Sequence, residues 1–137
     1  MDVNDFEDMQ KKEGQDKLDD VIRRVKNGEV TEIKFEPNSE KIAQGYNTLD
    51  MIGQILYDYP KLNIKLEVHT DPLGDPETNL ALTYKQGDTI KDYLVKKFGI
   101  GPKRIEAVGF GGSRPIVSPN EPGGVERNRR VEISAQE

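Results

Sequence analysis

The chain has 137 residues, of which 34% are apolar and 33% charged, with a formal net charge of −5 and no cysteine. That length suits one domain whose core needs no covalent staples. The acidic balance excludes the basic footprint of a nucleic-acid or anionic-lipid binder, and the lack of thiols excludes disulfides, a cysteine nucleophile and cysteine-bound zinc.

Met1–Gln15 is charged and aperiodic, with Gly14 inside it, and reads as a frayed linker. It has no apolar stretch of the signal-peptide kind, and no run in the chain reaches the ~18 apolar residues of a membrane span. The expectation is a cytosolic protein, or a piece whose export signal or anchor lies upstream. Leu18, Val21, Ile22 and Val25 follow helical spacing and predict a short amphipathic helix ending near Lys26, with Gly28 as its stop. Ile33–Lys34–Phe35 alternates like a short strand, and Glu36–Pro37–Asn38–Ser39 reads as a turn. Ile42, Leu49, Ile52 and Leu56 form one apolar stripe, which predicts a helix from about Ser39 to Tyr57, closed by Pro60. Asn63–His69 alternates as a half-buried strand, with Ile64, Leu66 and Val68 on one face. Thr70–Thr78 reads as a loop, followed by a helix from about Leu80 to Phe98 that stops at Gly99, Gly101 and Pro102. Ile105 and Ala107 mark a strand that runs into a flexible Gly109–Phe110–Gly111–Gly112. A long proline-bearing loop with Pro115, Pro119 and Pro122 follows, and Val131 and Ile133 mark a closing strand. The order after the first helix is β-α-β-α-β-β, and two helices on one face of a single sheet would bury every apolar face.

The end of the clearest strand, the loop after it and the start of the next helix converge on one edge, a usual place for a small-ligand site. There His69–Thr70–Asp71 meets Asn79, and Gln86 lies seven residues further along the same helical face. Each residue also has a plainer role. Asp71 suits a turn cap, Asn79 a helix cap, and Gln86 a buried amide serving nearby backbone. Asn128–Arg129–Arg130 suits a charged strand start, and His69, whose parity points away from the core, a structural or surface position. No nucleophile, metal-ligand set or carboxylate pair stands at informative spacing, so catalysis is not expected.

From Val30 to Ser134 the sequence resembles the OmpA C-terminal-like family. The residues that carry the likeness are Ile33–Ser39, His69–Thr70–Asp71, Gly74, Asn79, Leu82–Thr83, Gly109–Phe110–Gly111, Pro115 and Asn128–Arg129–Arg130–Val131. The resemblance implies an α+β fold with a mixed sheet, two main helices on one face and an extra N-terminal helix. It divides the chain into a linker with a short helix at 1–28 and an OmpA-like domain at 29–137. It implies non-catalytic, non-covalent binding of the peptidoglycan peptide stem through its diaminopimelate, without cofactor or metal, anchoring a parent protein in the periplasm. Membrane attachment would come only through a part of the parent outside this chain, and the N-terminal helix is a candidate dimerisation element. The site carried over from the family comprises Asn38, Thr70, Asp71, Asn79, Gln86, Arg129 and Arg130. Asp71 is expected to take the ammonium of diaminopimelate. The family's carboxylate-gripping arginine falls on Gln86, which has no charge and no guanidinium fork. Three readings follow. Binding persists, weakened, with charge from Lys85 or the closing arginines. The stem is amidated and pairs with the glutamine amide. Or wall binding is lost and the scaffold serves as a protein-interaction module.

Overall fold

The computed structural model describes residues 2–136; Met1, the first residue of the expected linker, and Glu137 lie outside them. Helix α1 (Val3–Lys26) leads into a hairpin of β1 (Lys34–Phe35) and β2 (Ile42–Gln44), then α2 (Tyr46–Asp58), β3 (Asn63–His69) and α3 (Pro76–Phe98). A 3-10 turn at Pro102–Arg104 precedes β4 (Ile105–Gly111), α4 (Gly124–Asn128) and β5 (Arg130–Gln136). The main sheet is mixed: β3 is central, β4 runs parallel to it and β5 antiparallel. Ile64, Leu66 and Val68 alternate inward along β3, and Ile64 and Leu66 join Leu49, Ile52 and Leu56 of α2 and Ile90 and Leu94 of α3 in the core.

Four expectations change. The segment expected to be a frayed linker is helical from Val3 onward. Asp2 caps its first turn, Lys12 and Asp16 pair at 3.0 Å, and Gly14 is no breaker but the point where the Tyr59 ring lies against the helix. Leu18 and Val21 then complete the core beside α2 and β5. Next, α2 starts at Tyr46 rather than Ser39, because Gly45 holds φ +98° and a Cβ there would stand 2.6 Å from the Ile33 Cα. Ile42 is buried, as its place in the stripe suggests, but from a strand. That strand, β2, pairs only with β1, so the hairpin stands apart from the main sheet and the expected single sheet is two. Third, α3 begins at Pro76, with the Asp75 side chain accepting from Thr78 N at 2.9 Å. Fourth, the glycine run of 109–112 is mostly strand, and the proline loop carries α4.

Two contacts hold the layers in register. At Gly109 a Cβ would sit 2.4 Å from Tyr84 N, so only a glycine lets α3 lie this close on β4. Arg104 closes α2. The carbonyl of Leu56 would ordinarily accept from the fourth residue on, but that residue is Pro60, which has no N–H. Arg104 Nη2 supplies the donor at 2.7 Å, and also serves the Tyr59 and Leu62 carbonyls at 2.9 and 2.7 Å.

Arg104→Lys is therefore expected to cost about 1–3 kcal/mol, since the ammonium falls one bond short of Nη2 and lacks the Nε that also donates to Leu62 O. The loss reads as a lower urea midpoint at unchanged m-value. Gly109→Ala is expected to cost about 1–3 kcal/mol by overpacking, and a variant as stable as the parent would refute the close approach.

Candidate functional site

Four segments meet at the C-terminal end of β3: the hairpin turn, the β3 tip, one face of α3 and the α4–β5 junction. Between them lies a cleft of about 260 Å³ lined by Lys34, Asn38, Thr70, Gln86, Arg129 and Arg130, among others. Asn38 adopts φ +52°, the left-handed region that asparagine tolerates, and its side chain stands exposed at the turn. Gln86 is buried on α3 and donates from Nε2 to the Ser39 carbonyl at 2.9 Å, tying helix to hairpin. Thr70 N donates to Gly111 O at 3.0 Å, which extends the parallel pairing one residue past β3.

Asp71 is buried and fully engaged. Oδ1 accepts from Leu73 N at 2.9 Å and Oδ2 from Arg129 Nε at 3.2 Å. Arg129 also donates from Nη1 to Glu126 Oε1 at 3.2 Å. Asn79 lies in the first turn of α3, whose cap is Asp75, and donates from Nδ2 to Leu73 O at 2.9 Å. Asp71 and Asn79 thus grip the same loop residue from two sides. Neither lines the cleft itself; Asp71 reaches it through Arg129. Lys85 is exposed on α3 and is not part of the lining.

The Asn128–Arg129–Arg130 run divides its work. Asn128 is fully buried and fastens the proline loop, with Oδ1 accepting from Ile116 N and Val117 N and Nδ2 donating to Val117 O. Arg130 donates to the carbonyls of Asn128 and Arg114 at 3.1 and 3.0 Å. His69 keeps the parity expected of it but is only 3% exposed. A register shift between Val68 and His69 brings the Phe110 ring over it, centroids 5.1 Å apart. Burial lowers the His69 pKa, and Arg130 adds to that against the opposing pull of Glu132 and Glu67.

One charged residue escaped the sequence reading. Lys34 Nζ donates to the Glu126 carbonyl at 2.8 Å and to the Arg129 carbonyl, and pairs with Glu32 at 3.2 Å. It stabilises the C-terminal end of α4, where carbonyls favour a cation. The only sequence signal was its alternation with the apolar Ile33 and Phe35 in a very short strand. With Lys34, Arg129 and Arg130 set against Glu36 and Glu126, a chain of net charge −5 presents a cation-rich cleft. Such a cleft suits an anionic or zwitterionic ligand.

Residues 34–129 match the OmpA family. The chain is 33% identical to outer membrane porin F of Pseudomonas fluorescens over 77% of its own length, but spans only 32% of that porin. It is 30% identical to the peptidoglycan-associated lipoprotein of Buchnera aphidicola, covering 89% of this chain and 69% of the lipoprotein. In three dimensions it matches the crystal structure of the peptidoglycan-associated lipoprotein from Burkholderia pseudomallei with a TM-score of 0.69 at 28% identity. That match covers 76% of this chain and 88% of the other. Proteins of this family are non-catalytic, and the chain belongs to the OmpA family.

Proposed function

We propose that this domain binds the peptide stem of peptidoglycan non-covalently and thereby anchors its parent protein to the cell wall, in the envelope outside the cytoplasm. The relatives named peptidoglycan-associated lipoprotein support the ligand class. The observation that carries the reading is the Asp71–Arg129 pair at the edge of a cation-lined cleft. That pair is complementary to a zwitterion, and the far end of diaminopimelate is one. Its ammonium replaces the guanidinium at Asp71, and its carboxylate takes the guanidinium thus released. The exchange trades one charge-assisted pair for two, with no carboxylate left bare. Arg130 and Lys34 add positive potential for the other stem carboxylates, while Asn38, Thr70 and Gln86 offer neutral hydrogen-bonding groups around them.

Gln86 motivates a second reading, in which the scaffold is kept for protein interaction. Its amide nitrogen is committed to Ser39 O, and it carries no charge for a carboxylate. Replacing a charge-assisted pair by a neutral bond costs roughly 1–2 kcal/mol, about tenfold in affinity.

An NMR titration with soluble diaminopimelate-containing muropeptide distinguishes the two. Shifts clustered at Asn38, Thr70, Asp71, Gln86 and Arg129 are expected, and silence at millimolar ligand would leave only the interaction scaffold. Asp71→Asn keeps the turn's shape but removes the charge, and is expected to weaken binding by at least about tenfold. Gln86→Arg is expected to tighten it by about tenfold. Binding that arises only in Gln86→Arg would mean the natural chain has lost the activity.

A further inference from the structure

On the sheet face opposite the helices, three side chains converge, of which only His69 also borders the cleft. Glu67 on β3 stands directly across from Glu132 on β5, and His69 lies two residues along β3 on the same face. Like charges placed opposite each other across a strand pair repel, and here Lys65 and Arg130 offset them from the flanks, at 3.4 and 3.2 Å, rather than from between them. His69 points into this pair: Nε2 is 3.0 Å from Glu132 Oε2 and 3.9 Å from Glu67 Oε2. Among the described residues, Nδ1 of this 97%-buried ring has no partner, and Nε2 faces the Glu132 oxygen at close range without the alignment of a hydrogen bond, a costly state for a polar group out of water.

We propose that Glu67, His69 and Glu132 form a binding site for one divalent transition-metal ion of the zinc type. One imidazole nitrogen and one oxygen from each carboxylate lie within 4.8 Å of one another. Ligands held about 2.0–2.1 Å from a tetrahedral zinc stand about 3.3–3.4 Å apart, which falls between the two observed nitrogen–oxygen separations. Lys65 Nζ pairs with Glu67 Oε1 at 3.4 Å, so Oε2 is left to face the histidine. Arg130 touches Glu132 Oε2 at 3.2 Å but is held independently by the Asn128 and Arg114 carbonyls, so Glu132 can turn an oxygen to the metal without setting a cation adrift. The Phe110 stack fixes the plane of the imidazole. Glu132, whose side chain is 55% exposed, opens the site to solvent and leaves a coordination position for water or an outside ligand.

The donor set selects the class of ion. Calcium takes about 6–8 oxygen ligands, and magnesium prefers to keep its waters, whereas imidazole suits zinc and its neighbours in the first transition row. Because Nδ1 has no partner among the described residues to set the tautomer and raise the ring's basicity, the site is expected to be some 10–100-fold weaker than one with such a partner. The sequence concealed this set, since Glu132 lies far along the chain from His69 and the antiparallel register unites them.

The chain has a single histidine and no cysteine, so His69 reports on the site without interference. Zinc chloride titrated into the whole chain is expected to shift the His69 ring proton signals with saturation at one ion per chain by calorimetry, while magnesium at the same concentration leaves them in place. Glu67→Gln and Glu132→Gln, which change partly open side chains and preserve the fold, are each expected to weaken zinc binding at least tenfold. An unmoved histidine at millimolar zinc would overturn the proposal, as would zinc affinity unchanged in the Glu67→Gln/Glu132→Gln double variant with a native circular-dichroism spectrum.

Discussion

The Asp71–Arg129 ion pair links the tip of the central strand to the junction before the last one. Asp71 is almost closed to solvent and Arg129 only about one-third open, so the pair sits between the regimes of weak surface bridges and costly buried ones. Removing one partner of a fully buried pair costs about 3–5 kcal/mol, and the partial opening of Arg129 reduces that. The neighbouring geometry follows from this pair. Asp71 also receives Leu73 N, Leu73 O receives Asn79, and Arg129 reaches back to Glu126 within α4, whose carbonyl Lys34 holds together with that of Arg129. A chain of charge-assisted bonds therefore runs from hairpin to α4 to β3, and a ligand that opens one link acts on all of it.

The placement of cations is the point at which this chain departs from the pattern its sequence resembles. The helix position expected to hold an arginine holds Gln86, which is used to pin the hairpin through Ser39. Positive charge enters the cleft instead from the hairpin, by Lys34, and from the α4–β5 junction. Lys34 is a point charge held by backbone carbonyls, whereas a guanidinium would have offered a planar fork. The cleft thus keeps its sign while losing one directional contact.

Much of this was legible in the residues. The alternation of Asn63–His69 fixed β3 and its inward face, because a two-residue period with one buried side has a single solution. Asp71, Asn79 and the arginines were placed at one edge by motif order. What stayed hidden depends on distant partners. The N-terminal helix is held by Tyr59 against Gly14, and the start of α2 is set by the close approach of Gly45 to Ile33. The role of Arg104 depends on a missing donor at Pro60, far away in sequence. The burial of His69 depends on one extra residue, Phe110, in the neighbouring strand. None of these has a local periodicity to read.

The cleft draws its walls from the first hairpin, the middle strand and the very last strand. Ribosomes deliver these pieces in order, and pairing across such separations is slow relative to local helix formation. Lys34, Thr70 and Gln86 are all synthesised before Arg129 and Arg130 exist, and β5 must dock against β3 before Asp71 meets its counter-charge. Among the cleft's walls, the one that carries Arg129 and Arg130 is therefore the last to be made. A copy without Arg129 and Arg130 would keep most of the core but leave Asp71 without its counter-charge.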